Sequence, residues 1–418
     1  MTLFLRFLAG ATLVTATILL PPAFSPAYSP TTDATSVAGT VHAAPMPVDG
    51  TTAVQAAARG IVGYGRRTVG GRGGSVRVVR NLNNAGPGSL RRALEGSGRR
   101  VVDFRVSGTI RLSAPIKINS PFLTVNGRGA GSRGITVRGD AVVIQTHDVI
   151  FRHLRLRPGD RSENPSETDA LTINGNSRRV YNVVIDHVSM LWGPDIGALA
   201  ILGDVSHVTI QNSIMGEGLY LSAHPEATRS NGGHSTAVNV TGMDPGAPAP
   251  RYLTFWRNLF TTSDQRMPRL QGTRCVDIVN NVIFNWGLKP ATGNPRSLNL
   301  VGNWFRRGPR TERLSIWHSE AGSSAPTLFV DSIYQRGNVA DGFRFSRGGV
   351  ARVFTGQPKC GGLSVRRGSA SDARAAVLRG AGATLPSRDA VDRRVIGNVR
   401  DRVGRYFNGA GYPAPNPY

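Results

Sequence analysis

Six short segments in the middle of the chain share one pattern: an apolar residue, any residue, a second apolar residue, then polar side chains. They are centred on Phe151, Ile185, Ile210, Phe255, Ile278 and Leu300, at separations of 34, 25, 45, 23 and 22 residues. The basic unit is therefore 22 to 25 residues, and one interval is about two units or a unit with a long insertion. A repeat of that length holding about three short strands is the signature of a parallel β-helix, in which each coil buries its apolar side chains against the next. Asn258, Asn281 and Asn303 each follow a central apolar position by three residues. Stacked asparagines at a bend can hydrogen-bond from coil to coil and satisfy turn backbone that would otherwise be buried unpaired. A β-sandwich also uses many short strands, but it gives no reason for asparagine at the same phase of successive repeats.

The flanks fit this reading. Gly70-Gly71-Arg72-Gly73-Gly74 closes a small-residue stretch, and short β-type runs begin at Val76-Arg77-Val78-Val79. Gly88 to Leu94 has helical spacing with a serine cap. Ala370 to Leu378 and Arg388 to Val403 carry apolar residues at helical spacing with arginines between them, which predicts amphipathic helices packed on the solenoid's end or flank. The expected fold class is all-β, a parallel β-helix with a C-terminal helical tail. The expected organisation is a leader over 1–50, the solenoid domain over 51–310, and final coils plus the helical tail over 311–418.

Met1 to Leu20 reads as an export signal: Arg6 supplies the positive charge, Phe7 to Leu20 is apolar apart from three threonines, and small residues follow at Ala23-Phe24-Ser25 and Val41-His42-Ala43. A secreted protein with no membrane attachment after signal removal is expected. The formal net charge is +24, nearly all from arginine, since the only lysines are Lys117, Lys289 and Lys359. Such a chain attracts polyanions, with nucleic acid, an anionic cell wall and an acidic glycan as candidates. Nucleic acid ranks lowest, because no recognised binding module is present. Cys275 and Cys360 are the two cysteines; they pair in an oxidising compartment or stand as separate structural thiols.

Three clusters on the repeats offer chemistry. The first runs from Arg157-Pro158-Gly159-Asp160 through Glu163 and Glu167 to Asp169, the second from Asp186-His187 to Trp192-Gly193-Pro194-Asp195, and the third is Gln265-Arg266-Met267-Pro268-Arg269. Equivalent positions of successive coils lie ~4.8 Å apart, so acidic residues of neighbouring coils can converge on a hard cation such as calcium. Asp169 and Asp195 equally suit turn starts, and His187 equally suits a satisfied structural histidine. No His-Glu-x-x-His, Cys-x-x-Cys or Gly-x-Ser-x-Gly stretch supports a zinc hydrolase or a serine esterase.

The chain resembles the pectate lyase family of polysaccharide lyases, in particular its shorter bacterial branch. The likeness rests on Gly70-Gly71-Arg72-Gly73-Gly74, Gly86-Pro87-Gly88-Ser89-Leu90-Arg91, Val106-Ser107-Gly108-Thr109-Ile110 and Arg155-Leu156-Arg157-Pro158-Gly159-Asp160. It continues through Thr168-Asp169-Ala170, Ile185-Asp186-His187, Trp192-Gly193-Pro194-Asp195, Arg266-Met267-Pro268-Arg269 and Asn280-Asn281-Val282-Ile283-Phe284-Asn285-Trp286-Gly287. The resemblance implies a right-handed parallel β-helix and calcium-assisted β-elimination of α-1,4-polygalacturonate by a monomer. It implies Arg266 as the base, Arg269 holding a substrate carboxylate, and Asp169 and Asp195 as calcium ligands. Two departures stand out. Asp195-Ile196 replaces the family's usual Asp-Glu, and His224-Pro225-Glu226-Ala227 stands where a lysine usually follows the histidine, with Arg229 as its candidate substitute in substrate binding. These departures motivate two alternatives: a non-catalytic or weak acidic-polysaccharide-binding β-helix, and a calcium-independent pectin lyase.

Overall fold

The computed structural model describes residues 60–242, 248–320, 329–346 and 353–409; the expected leader lies outside them. Among the described residues every paired strand is parallel to its neighbours, in one sixteen-stranded and one nine-stranded sheet. The larger sheet supplies two faces of each coil, because the long strands Leu171–Asp186 and Leu199–Gln211 run through the corner between them. The first face contains Val142–Ile144, the opening halves of those long strands, Val238–Thr241, Arg269–Gln271 and Thr292–Asn294. The nine-stranded sheet is the third face. The architecture is a right-handed parallel β-helix.

The six central apolar positions form one column on the second face. Phe151 pairs with Ile185, Ile185 with Ile210, Ile210 with Phe255, Phe255 with Ile278 and Ile278 with Leu300. All are at most 1% exposed, so the sequence repeat is the repeat of the core. At the next bend Asn258, Asn281 and Asn303 form a ladder, each Nδ2 donating to the next Oδ1 at 3.0 Å. Asn338 continues the ladder at the same distance. The Oδ1 atoms of Asn281, Asn303 and Asn338 also accept from the preceding coil's asparagine N–H, at 2.8–2.9 Å, and Asn258 Oδ1 accepts from Ser213 N at 2.9 Å.

Just beside the core column, the outward-facing residues Thr124, Thr209, Thr254, Asp277 and Asn299 line up on the second face. Two chain segments lie across them as straps. The N-terminal one donates from Gly71 N to Thr124 Oγ1, from Gly65 N to Thr209 Oγ1 and from Tyr64 N to Thr254 Oγ1, at 2.9–3.1 Å. A Cβ on Gly71 would sit 1.9 Å from the Arg100 carbonyl oxygen, which is why the strap is glycine-rich there. The second strap donates from Ser364 N to Asp277 Oδ2 at 2.6 Å and from Lys359 N to Asn299 Oδ1 at 2.8 Å. Cys275 and Cys360 form a disulfide that ties this strap to the sheet.

The tail helices are Ala370–Gly380 and Ala390–Asp401, capped by Ser369 and Asp389. Their apolar faces cover the third face, where Leu191, Ile214, Leu259, Val282 and Phe284 point outward to Val377, Val395 and Val399. They therefore dock on the flank, and Arg402 at the end of the second helix pairs with Asp341 of the last strand of that face. Leu90–Glu95, capped by Ser89 as expected, joins the main core beside Val79 and Ile116.

Candidate functional site

The site lies where the chain enters the first face. Asp169 stands two residues before Leu171, which pairs with Leu199; Leu199 pairs with Val238, and Asn239 with Arg269. That register puts the approaches containing Asp169, Asp195, His234 and Arg266 on successive coils, side by side. Backbone bonds hold the approaches together: Asp195 N donates to Thr168 O at 3.3 Å, Gly197 N to Thr236 O at 3.1 Å, and Val238 N to Arg266 O at 2.8 Å.

Asp169 is buried and fixed, its Oδ2 accepting from Thr172 Oγ1 at 2.7 Å and its Oδ1 from Ile196 N at 3.1 Å. Burial and the neighbouring Asp195 push its carboxyl well above the usual carboxylate range, against the opposing pull of Thr172, Ile196 N–H and Arg266. Burial likewise raises Asp195 to about 6; Arg266 opposes the shift, while Glu226 and Glu167 add to it. Burial lowers Arg266, and Arg269 lowers it further, although Asp195, Glu320 and Glu226 pull the other way. Carboxylates and a half-buried guanidinium thus come from neighbouring coils, each with its charged form disfavoured by burial.

The loop before Val238–Thr241 adds residues that the sequence reading did not single out as a group. His224 and His234 stack with ring centroids 4.1 Å apart and planes within 5°. His224 Nε2 lies 3.7 Å from Asp195 Oδ1, and His234 Nε2 lies 3.5 Å from Glu226 Oε2. Burial pushes His234 down to about 4, with His224 and Arg266 adding to the shift. Glu226 N donates to His224 Nδ1 at 3.1 Å, so the neutral His224 ring carries its proton on Nε2, facing Asp195. In parallel stacked rings the in-plane lone pairs run side by side and do not converge, which is a poor start for a tetrahedral nitrogen site. Asp169 and Asp195, with Glu167 and Glu226 close by, instead offer hard oxygen donors from separate loops, a set that suits calcium.

Arg269, expected to hold a substrate carboxylate, is engaged by protein groups. Its Nε donates to Glu320 Oε2 at 2.8 Å and its Nη1 to Asn239 Oδ1 at 3.3 Å. Thr292 Oγ1 fixes the other Glu320 oxygen at 2.9 Å. Arg229 is exposed on the His224–His234 loop, and among the described residues its side chain forms no ion pair. Arg157, which heads the first sequence cluster, belongs elsewhere: its guanidinium bonds to Asp389 and Asp392 under the second tail helix, both at 2.6 Å. Asp186 and His187 form a pair at 2.7 Å that Arg152 and Asn212 complete. They sit at the far end of the long strand from Asp169, so His187 is a satisfied structural histidine.

Together these features define a β-helical protein with a cluster of carboxylates and arginines at the approach to one face. No protein-family model matches the chain. A relative from Aspergillus fumigatus named "Probable pectate lyase C" is 32% identical over 355 residues, covering 82% of this chain and 76% of its own length. Its namesake in Aspergillus flavus is 37% identical over 258 residues, 60% of this chain and 54% of the relative. The chain thus spans about half the length of several curated relatives it matches. Among solved structures, the major allergen of cedar pollen aligns with TM-score 0.57 at 20% identity, over 78% of this chain and 93% of that one. A pectate lyase from Bacillus sp. N165 in complex with trigalacturonate aligns with TM-score 0.55 at 16% identity, over 77% of this chain and 98% of that one. The chain belongs to the pectate lyase family.

Proposed function

We propose that the protein is a secreted pectate lyase that cleaves α-1,4-linked polygalacturonate by β-elimination, with Arg266 as base. The observation that carries this reading is the arginine itself. Arg266 is half-buried on an approach held in register with those of Asp169 and Asp195, and burial together with Arg269 lowers its guanidinium, so it loses its proton more readily than an exposed one. The neutral guanidine takes the proton α to the uronate carboxylate. The electron pair left behind forms the C4–C5 double bond, the C4–O bond breaks, and the departing oxygen takes up a proton. Asp169 and Asp195 would hold calcium, which when bound supplies positive charge that acidifies the abstracted proton and stabilises the enolate-like charge. Arg269 keeps an Nη free of the Glu320 contact for a substrate carboxylate, and Glu320 sets its orientation. The apolar run at Met1–Leu20 supports export; among the described residues no helix is long and apolar enough to cross a membrane.

One observation favours a second reading, a galacturonan-binding β-helix without turnover: Ile196 is buried where the family usually carries a carboxylate, and Glu320 already occupies Arg269. A single assay separates the two. Mature protein and Arg266→Ala are mixed with polygalacturonate, with calcium or chelator, and absorbance of the unsaturated uronide is followed. A calcium-dependent rise that Arg266→Ala abolishes supports the lyase. Binding without any rise supports the second reading, and a rise unchanged by chelator supports a calcium-independent lyase.

A further inference from the structure

The corner where the first face turns into the second carries another concentration of cations, away from Arg266. Arg179 sits in the bend of Leu171–Asp186, where the strand register slips between Gly175 and Val180. Its guanidinium lies 5.3 Å from the Tyr181 ring centroid. Arg67 ends the 3-10 turn Tyr64–Arg67 of the N-terminal strap, and Arg251 opens the strand Arg251–Trp256 on a later coil. His207 lies among them, its ring stacked on Tyr252 at 5.0 Å. The strap reaches the same corner through Tyr64, whose ring centroid lies 5.5 Å from that of Tyr252; burial pushes the His207 imidazole down, and Arg179, Arg251 and Arg67 add to the shift. Arg251 is paired with Asp204 at 2.7 Å. Arg67 and Arg179 are exposed, and among the described residues neither forms an ion pair.

We propose that this corner is a second binding surface for a polyuronate chain, built from Arg67, Arg179 and Arg251 around His207 and Tyr252. A guanidinium lying near an aromatic ring keeps its in-plane N–H fork available to carboxylates. The corner repeats from coil to coil at ~4.8 Å, so a linear polymer can run along it and meet a cation at more than one coil. Residues 171–175 of the first-face strand separate it from Asp169, about 17 Å of extended chain. A second grip on the same polymer raises the local concentration of substrate at Arg266 without entering the chemistry. The identity of the polymer rests on the lyase reading; the cationic surface does not.

The test is electrophoresis of the whole protein through native gels containing polygalacturonate and chelator, comparing wild type, Arg266→Ala and the double variant Arg67→Ala/Arg179→Ala. Wild type and Arg266→Ala are expected to be retarded alike, and added salt to release both. The double variant is expected to bind about five- to thirtyfold more weakly, with turnover of short galacturonate oligomers unchanged and KM for the polymer raised. Retardation of the double variant equal to wild type overturns the proposal, as does stronger retardation of wild type by DNA than by polygalacturonate. Retardation lost in the double variant, from a wild type that makes no unsaturated uronide, removes the lyase reading and leaves this surface standing.

Discussion

Replacing Asn281 by alanine tests whether the asparagine ladder holds the coils together or merely decorates the bend. Asn281 is fully buried. Its Oδ1 accepts from Asn258 N at 2.8 Å and from Asn258 Nδ2 at 3.0 Å, while its Nδ2 donates to Phe255 O at 2.9 Å and to Asn303 Oδ1 at 3.0 Å. Asn258 Nδ2 keeps a partner in Ile210 O at 2.8 Å, and Asn303 Oδ1 keeps the N–H of residue 281 at 2.9 Å. The Asn258 backbone N–H loses its side-chain acceptor in the interior, at about 1–3 kcal/mol. The remaining lost bonds add about 1 kcal/mol more, for a total of roughly 2–4 kcal/mol. Asn338→Ala, at the partly exposed end of the ladder, lets water reach the orphaned Asn303 N–H and is expected to cost about 1 kcal/mol. Urea unfolding followed by circular dichroism reads both as shifts of the midpoint at constant slope. Equal costs for the two variants, or a cost below about 1 kcal/mol for Asn281→Ala, would refute the reasoning.

Burial alone would raise Asp389, but Arg157 and Arg155 hold its carboxyl well below the usual range. A depressed folded-state pKa contributes stability above the unfolded value near 4, and that contribution is lost as pH falls through the folded value. The second tail helix is therefore expected to loosen below about pH 4, seen as early hydrogen exchange at Val395 and Val399, and Asp389→Asn should bring the same exchange to neutral pH. Cys275 and Cys360 close a loop with a sequence separation of 85. Their double replacement by serine is expected to lower stability by about 2–4 kcal/mol, read as a shift in urea midpoint, with galacturonate turnover retained in the folded variant.

The core was legible because each coil must put an apolar side chain into the same column, so Phe151 through Leu300 announce themselves by spacing. The ladder was read at three of its asparagines and missed at Asn338, whose coil carries Gln335 at the position paired with Leu300. Asp169, Asp195 and Arg266 come from neighbouring coils because each approaches a strand of the same face. The stacked histidines were hidden inside a long loop with no periodicity, where neighbours in space are set by turns. Arg157 misled for a related reason. Its partner Asp389 lies 232 residues further along the chain, and no local pattern ties an arginine to an acid at that range. Glu320 escaped notice in the same way, since only the fold brings it to Arg269.

That distance between Arg157 and Asp389 also sets an order of events. A solenoid whose coils touch only their neighbours can form from its first turn onward as the chain appears. Here Arg155 and Arg157 face outward on an early coil, and their counter-charges arrive only with the second tail helix. Ser189 and Glu217, on the next two coils, wait for the same helix, for Asp392 and Arg394 respectively. Until then the third face stays wet, with its arginines solvated and Leu191, Ile214 and Leu259 uncovered. The middle of the solenoid, though early in the sequence, is completed last.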